Sequence, residues 1–120
     1  MVMYEEDVKV QGTILCAASA YEEKFYLNPQ FDRLPERVKE ELQILCVLYT
    51  ADVGGIFTMH FDDGGNLLLH VTAREGDLLF DEIGSVLKIK QIQSEKRELL
   101  EALEIYFSYL YMPQKARHGD

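Results

Sequence analysis

Residues 52–77, DVGGIFTMHFDDGGNLLLHVTAREGD, decide the fold because their side-chain pattern predicts a β-hairpin. Apolar residues occupy every second position of both arms, the pattern of strands that bury one face. Residues 62–66 (DDGGN) lie between the arms, and their two glycines tolerate the positive φ that a tight turn needs. The alternating apolar positions are Phe57, Met59 and Phe61 in the first arm and Leu67, Leu69, Val71 and Ala73 in the second.

The alternation also predicts the register of the hairpin. Pairing Phe61 with Leu67 places both apolar sets on one face, whereas a slip of one residue turns one set to the opposite face. This register requires a loop of three or five residues. Because an isolated hairpin is marginally stable in water, its apolar face must pack on helices, on another sheet or on a second copy of the chain.

The composition is typical of one globular domain. The chain has 120 residues, 48% of them hydrophobic and 28% charged, which is enough apolar surface for a core. The formal net charge of −9 disfavours nucleic acid and anionic lipid as partners. No basic region followed by an apolar run opens the chain, and the longest apolar run, residues 44–49, is too short to span a membrane. We therefore expect a soluble cytoplasmic protein without nucleic-acid or membrane partners.

The segments before the hairpin predict two helices. In residues 11–27 apolar side chains recur at three- and four-residue steps, which indicates a first helix that ends at Asn28 and Pro29. Pro35 marks the first turn of a second helix. Its second half, residues 44–49, is apolar on every side and needs cover all round. The apolar stripes are Ile14, Ala18, Tyr21 and Phe25 in the first helix and Val38, Leu42, Leu45 and Tyr49 in the second.

A long helix over residues 79–111 is predicted after the hairpin. At ~1.5 Å per residue it would be about 45 Å long, more than a small domain needs, so Gly84 is a candidate break. Alternatively, residues 85–92 (SVLKIKQI) form a third strand, because apolar residues there alternate with lysines. Pro113 ends the helix, and we expect residues 114–120 to be a disordered tail.

Together these elements predict an α+β fold in a single domain of residues 1–113. Its expected order is two N-terminal helices, the hairpin and a long C-terminal helix, with the hairpin packed on helices or extended across a dimer. The two cysteines, Cys16 and Cys46, lie in apolar patterns without CxxC spacing, so we interpret them as small core residues. A disulfide or a reactive thiol is the alternative.

Candidate metal ligands are few. His60, His70 and Asp62 share the more polar face of the predicted hairpin, and two histidines with a carboxylate can hold a transition metal. Diagonal partners on a sheet are about 7 Å apart, so histidines that hydrogen-bond locally are the alternative interpretation. The acidic residues at the start of the last helix are better explained by helix capping than by a cation site. They are Glu75, Asp77, Asp81 and Glu82.

No stretch matches a catalytic or cofactor-binding motif. A GxSxG elbow, a Walker loop and a GxGxxG turn are all absent from the sequence, and residues 62–66 lack the offsets of a calcium loop. We therefore expect no cofactor and assign no catalytic residue. The aromatic surplus, seven tyrosines and six phenylalanines, is more informative because tyrosine-rich apolar surface is typical of interface cores. The candidate interface residues are Tyr106, Phe107, Tyr109, Tyr111 and Tyr49.

The rings at the end of the last helix, Tyr106, Phe107, Tyr109 and Tyr111, could instead be wrapped within one chain, by the hairpin and the second helix. The apolar helix ends and the free hairpin edges nevertheless favour a homodimer. The leading hypothesis is a non-enzymatic interaction or regulatory module. A small-ligand binding protein is the alternative, with His60, His70 and Tyr49 around a pocket, and a metal-dependent enzyme is the third possibility.

Several segments also resemble a family of small, acidic, uncharacterised proteins from Clostridia-type bacteria. They are DVGGIF (52–57), EGD (75–77), DEIG (81–84) and KREL (96–99). The resemblance extends over about residues 21–107. It implies a bacterial cytoplasmic setting, and it implies no activity, ligand or catalytic residue.

Overall fold

The computed structural model describes residues 12–111, which form one four-stranded antiparallel sheet and three α-helices. A short 3-10 turn, Pro29–Phe31, precedes the first helix. The fold is α+β, but the predicted order of two N-terminal helices, a hairpin and one long helix is wrong. The elements are β1 Thr13–Ser19, β2 Lys24–Leu27, α1 Glu36–Val53, β3 Ile56–Phe61, β4 Leu67–Thr72, α2 Glu82–Glu95 and α3 Arg97–Tyr111.

The central hairpin is confirmed in both position and register. Phe61 pairs with Leu67, which leaves residues 62–66 as a five-residue loop. The Asp62 carboxylate closes this loop by accepting hydrogen bonds from the backbone N–H groups of Gly64 and Asn66, both at 2.9 Å. The side chains of Phe57, Met59 and Phe61 are fully buried, as the alternation predicted.

The predicted helix over residues 11–27 is wrong, because this segment is a second hairpin. β1 and β2 are antiparallel, and the strand order is β2-β1-β3-β4. A bulge between Ile14 and Cys16 interrupts the pairing of β1 with β3. Leu15 and Cys16 are consequently both fully buried. A bulge adds one residue to the strand and breaks its two-residue period, so the apolar spacing resembled that of a helix.

The single long helix is also wrong, since two helices meet at Lys96. The Lys96 backbone has φ −110° and ψ 25°, which is outside the helical range. Gly84 is not the point where the predicted helix is interrupted. It lies in the first turn of α2, where its N–H donates to the Asp81 carboxylate at 2.9 Å. Residues 85–92 are therefore helical and form no third strand. Asp81 supports the capping interpretation of the acidic residues.

The helices pack on one face of the sheet. Tyr49 of α1 stacks on Phe57 of β3 with ring centroids 4.1 Å apart, and Phe107 of α3 stacks on Phe61, also at 4.1 Å. α1 contacts β1, β2 and β3, while α3 contacts β4. The hydrophobic core therefore lies between this face of the sheet and the three helices. The sequence predictions for residues 1–11 and 112–120, including the disordered tail, lie outside the described residues.

The junction between α1 and β3 provides a test of this packing. Gly55 has φ +78°, and a Cβ added there would lie 2.5 Å from the Thr72 carbonyl oxygen and 2.8 Å from the Phe80 ring. Gly76 has a similar φ of +82° but no atom within 4 Å of an added Cβ. We expect Gly76→Ala to cost about 1–2 kcal/mol through backbone strain alone, and Gly55→Ala to cost at least about 2 kcal/mol more because it adds a clash with backbone.

Urea denaturation of the two variants measures this difference, with Gly76→Ala as the matched control. Equal losses of unfolding free energy in the two variants would contradict the tight approach of β4 and Phe80 to Gly55.

Candidate interaction surface

Two of the five predicted interface aromatics belong to the core. Tyr49 is fully buried, and its hydroxyl donates to the Ser85 carbonyl oxygen at 3.1 Å. Burial raises the pKa of Tyr49 to about 12. Phe107 is buried between Phe61 and Phe31, with ring centroids at 4.1 and 6.4 Å. For Phe107, the alternative of wrapping within one chain describes the structure, and Tyr49 is likewise a core residue.

The other three aromatics lie nearer the surface of α3. Tyr106 is half-buried beside Phe31 at 6.5 Å. Tyr111 packs on the same ring at 5.4 Å, and its hydroxyl donates to the Gln30 carbonyl oxygen at 2.6 Å. Tyr109 is 62% exposed. The structure therefore packs three of the predicted aromatics, Tyr106, Phe107 and Tyr111, around Phe31, and it places Tyr49 elsewhere in the core.

The histidine pair lies on the face of the sheet opposite the helices. His60 pairs with Leu68, and His70 pairs with Thr58, so the two rings are diagonal neighbours as predicted. Their centroids are 6.1 Å apart and the rings are nearly perpendicular. The Asp62 carboxylate is bonded to its own loop instead of pointing to them. Within residues 12–111, no group of three His, Cys, Asp or Glu side chains is placed to hold a metal ion.

His70 is only partly accessible, and its Nε2 is buried without a hydrogen-bond partner among residues 12–111. Burial lowers the pKa of His70, and the nearby His60 lowers it further. Since Tyr49 lies on the opposite face of the sheet, the ligand trio of His60, His70 and Tyr49 does not converge on one pocket.

The solvent-facing side of α1 carries an uncharged apolar surface. Residues 42–51 include no charged side chain. Ile44, Val47 and Leu48 are 58%, 42% and 57% exposed, and Ala51 beside them is also exposed. We call these four residues the α1 apolar face. The sequence predicted that residues 44–49 need cover all round. Among residues 12–111, the sheet and the other helices cover the inner side of this run, whereas the α1 apolar face is exposed.

A groove of about 540 Å³ adjoins this face, between α1 and α2. Ile44, Leu48 and Ile92 contribute apolar side chains to its lining. Two ion pairs bridge the helices across it: Lys88 with Asp52 at 2.5 Å, and Lys96 with Glu41 at 3.1 Å. Each pair is partly exposed and therefore contributes little to stability.

Sequence reasoning missed a second exposed apolar cluster. Leu78 and Leu79, between β4 and α2, are 95% and 92% exposed, and Ile83 and Leu87 of α2 are exposed beyond them. The available signal was the pair of leucines immediately before the helix cap at Asp81. The prediction of a continuous helix from residue 79 led us to overlook these leucines, because residues at the start of such a helix were expected to pack inside the protein.

His70 gives the fold a pH dependence that can be measured. Its pKa is lower in the folded chain than in the unfolded chain, so the unfolded chain binds more protons near pH 6. This contribution to stability is complete above the unfolded pKa of about 6.5 and is lost as the pH falls through and below that value. We expect the unfolding free energy to decrease between pH 7 and pH 5, and to decrease less in His70→Gln.

Urea denaturation at several pH values tests this expectation. The pKa values of Asp62 and Asp77 are also lowered by hydrogen bonds, but those carboxylates titrate below this pH window. The same slope in the wild type and in His70→Gln would contradict the assignment to His70.

Comparison with known proteins adds a family without an assigned activity. Residues 12–115 match the model of a family of unknown function, DUF6145. No curated protein and no solved structure matches the chain. In residues 12–111, no helix combines the length and apolar character required to cross a membrane. The match confirms the predicted resemblance as far as membership of an uncharacterised family. The chain belongs to the DUF6145 family of unknown function.

Proposed function

We propose that this protein is a non-enzymatic interaction or regulatory module of the bacterial cytoplasm, and that it acts as a homodimer through the α1 apolar face. The observation that carries the proposal is the exposure of Ile44, Val47 and Leu48 side by side on a helix. Contiguous exposed apolar patches of this kind commonly mark interaction sites on soluble proteins.

The α1 apolar face is the surface on which a second copy of the chain can approach with the least electrostatic repulsion. Each copy has a formal net charge of −9, so two copies repel each other over most of their surfaces. Residues 42–51 are free of charge and let two copies meet without burying an unpaired carboxylate. Burial of the three aliphatic side chains in the contact supplies the favourable free energy of association.

The residue pattern of α1 fits an antiparallel contact about a two-fold axis between Val47 and Leu48. In that arrangement Val47 faces the partner's Leu48, and Ile44 faces the partner's Ala51. The small Ala51 leaves room for the larger isoleucine, which is the complementarity that close helix packing needs. Gln43 then lies opposite the partner's Asp52, so the ends of the contact bring no like charges together.

Assembly through the β3 edge of the hairpin, which the sequence had suggested, is excluded because β1 pairs with β3. Among the described strands, β4 remains an edge strand. Its first residue, Leu67, donates its N–H to the Glu104 carboxylate at 2.8 Å. A carboxylate at this position hinders the addition of another strand, because it already occupies a backbone donor. The helical face is therefore the better-supported interface.

Binding of a small ligand is the second candidate function, and the groove between α1 and α2 favours it. Its volume of about 540 Å³ is in the range of small-molecule sites. The lining combines apolar side chains with charged ones, including Lys88 and Lys96. This groove does not include His60 or His70, so the ligand hypothesis now rests on different residues from those predicted.

The oligomeric state tests the main proposal. In analytical ultracentrifugation at micromolar concentration, we expect the wild type to sediment at twice the chain mass of 13.9 kDa. Leu48→Glu should sediment as a monomer, because a dimer would bury two carboxylates in an apolar contact. We expect Leu48→Glu to raise the dissociation constant of the dimer at least about 100-fold, which corresponds to ~2.7 kcal/mol of association free energy.

Leu79→Glu is the matched control, because Leu79 is 92% exposed and lies outside the α1 apolar face. This variant should remain dimeric. A wild type that is monomeric at these concentrations, or equal effects of the two variants, would contradict the proposal. A monomeric wild type would leave the groove as the better-supported binding site.

A further inference from the structure

Three sulfur atoms meet in the core at the junction of β1, α1 and β3. The Sγ atoms of Cys16 and Cys46 are 3.7 Å apart, and the Cys46 Sγ lies 3.8 Å from the Sδ of Met59. All three side chains are fully buried, and both cysteines are free thiols. The sequence suggested that the cysteines are core residues, with a disulfide or a reactive thiol as the alternative. It did not indicate the third sulfur, which comes from a strand that no spacing rule connects to them.

We propose that these three sulfurs form a binding site for a single Cu(I) ion. Thiolate and thioether ligands together select soft Cu(I) over the harder divalent ions. Metal–thiolate bonds are about 2.3 Å long, so three sulfurs around one ion in a plane lie about 4 Å apart. The two separations that involve the Cys46 Sγ, 3.7 and 3.8 Å, are within a few tenths of an ångström of this spacing. Zinc fits less well, because its sites usually take four nitrogen, oxygen or thiolate ligands.

The fold holds the three ligands in place before any metal is bound. Cys16 and Met59 are cross-strand partners in the sheet, and Cys46 approaches them from the helix packed above. The bulge in β1 brings the Cys16 side chain to the inner face next to Leu15. A ligand set fixed by packing on three separate elements needs little reorganisation to bind.

Binding exchanges protons for the metal and involves no oxidation. One Cu(I) ion displaces the two thiol protons to solvent, and the ion with its two thiolates carries one net negative charge. Affinity for Cu(I) should therefore increase with pH. Because the sulfurs are fully buried, the ion enters as the chain folds or opens locally.

The experiment uses the full-length chain, fully reduced and without oxygen. The chain is unfolded in guanidinium chloride and refolded with one equivalent of Cu(I) as its acetonitrile complex, and excess bicinchoninate then competes for the ion. We expect the wild type to retain one Cu(I) per chain and to melt at a higher temperature than the refolded apoprotein. Retention should increase between pH 6 and pH 8.

Two variants make the result specific to this site. Cys46→Ser should retain no Cu(I), and Met59→Leu, which conserves volume, should bind at least tenfold more weakly. Leu48→Glu is the control and should retain the ion like the wild type, which separates this test from that of the dimer. Circular dichroism of each apoprotein checks folding, and Cys46→Ala replaces the serine variant if that variant does not fold.

The proposal would be overturned by either of two results. The first is that the wild type retains no Cu(I) against the competitor. The second is that the folded Cys46 variant retains as much as the wild type.

Discussion

The pairing of β1 with β3 is the interaction on which the rest of this structure depends. It joins two marginal hairpins into one four-stranded sheet, and α1 and α3 pack on the inner face of that sheet while α2 packs on these two helices. The bulge within this pairing places Leu15 and Cys16 together in the core. Without β1, one edge of the central hairpin would be open, and α1 would lose part of the surface on which it packs.

The central hairpin and α1 could be predicted from the sequence because local rules determine them. Alternation set the register of Phe61 with Leu67, and Pro35 marked the start of α1. The N-terminal hairpin could not be predicted in the same way, since its bulge removed the two-residue period. The break at Lys96 carries no glycine or proline, so the local sequence gave no signal for it. Of the candidate site residues, Tyr49 and Phe107 are buried in the core, because they stack on Phe57 and Phe61 of a strand that is distant in sequence from Phe107.

Helix α1 carries apolar side chains both on the side that packs in the core and on the side that faces solvent. Tyr49 and Leu42 face the sheet, whereas Ile44, Val47 and Leu48 face away from it, so the helix is apolar on both sides over this stretch. A helix that is apolar all round is stable when both sides are covered. Within residues 12–111 one side is covered, and a second copy of the chain is our proposed cover for the other. The acidic character of the remaining surface supports this choice of contact.

The most direct test of the proposed dimer places a cysteine beside its two-fold axis. Val47→Cys puts a thiol on the α1 apolar face, while Cys16 and Cys46 remain buried. Mild oxidation at micromolar protein concentration should then produce a disulfide-linked dimer on a non-reducing gel, and Leu79→Cys should not produce it under the same conditions. The account is contradicted if Val47→Cys stays monomeric on the gel or cross-links no faster than Leu79→Cys.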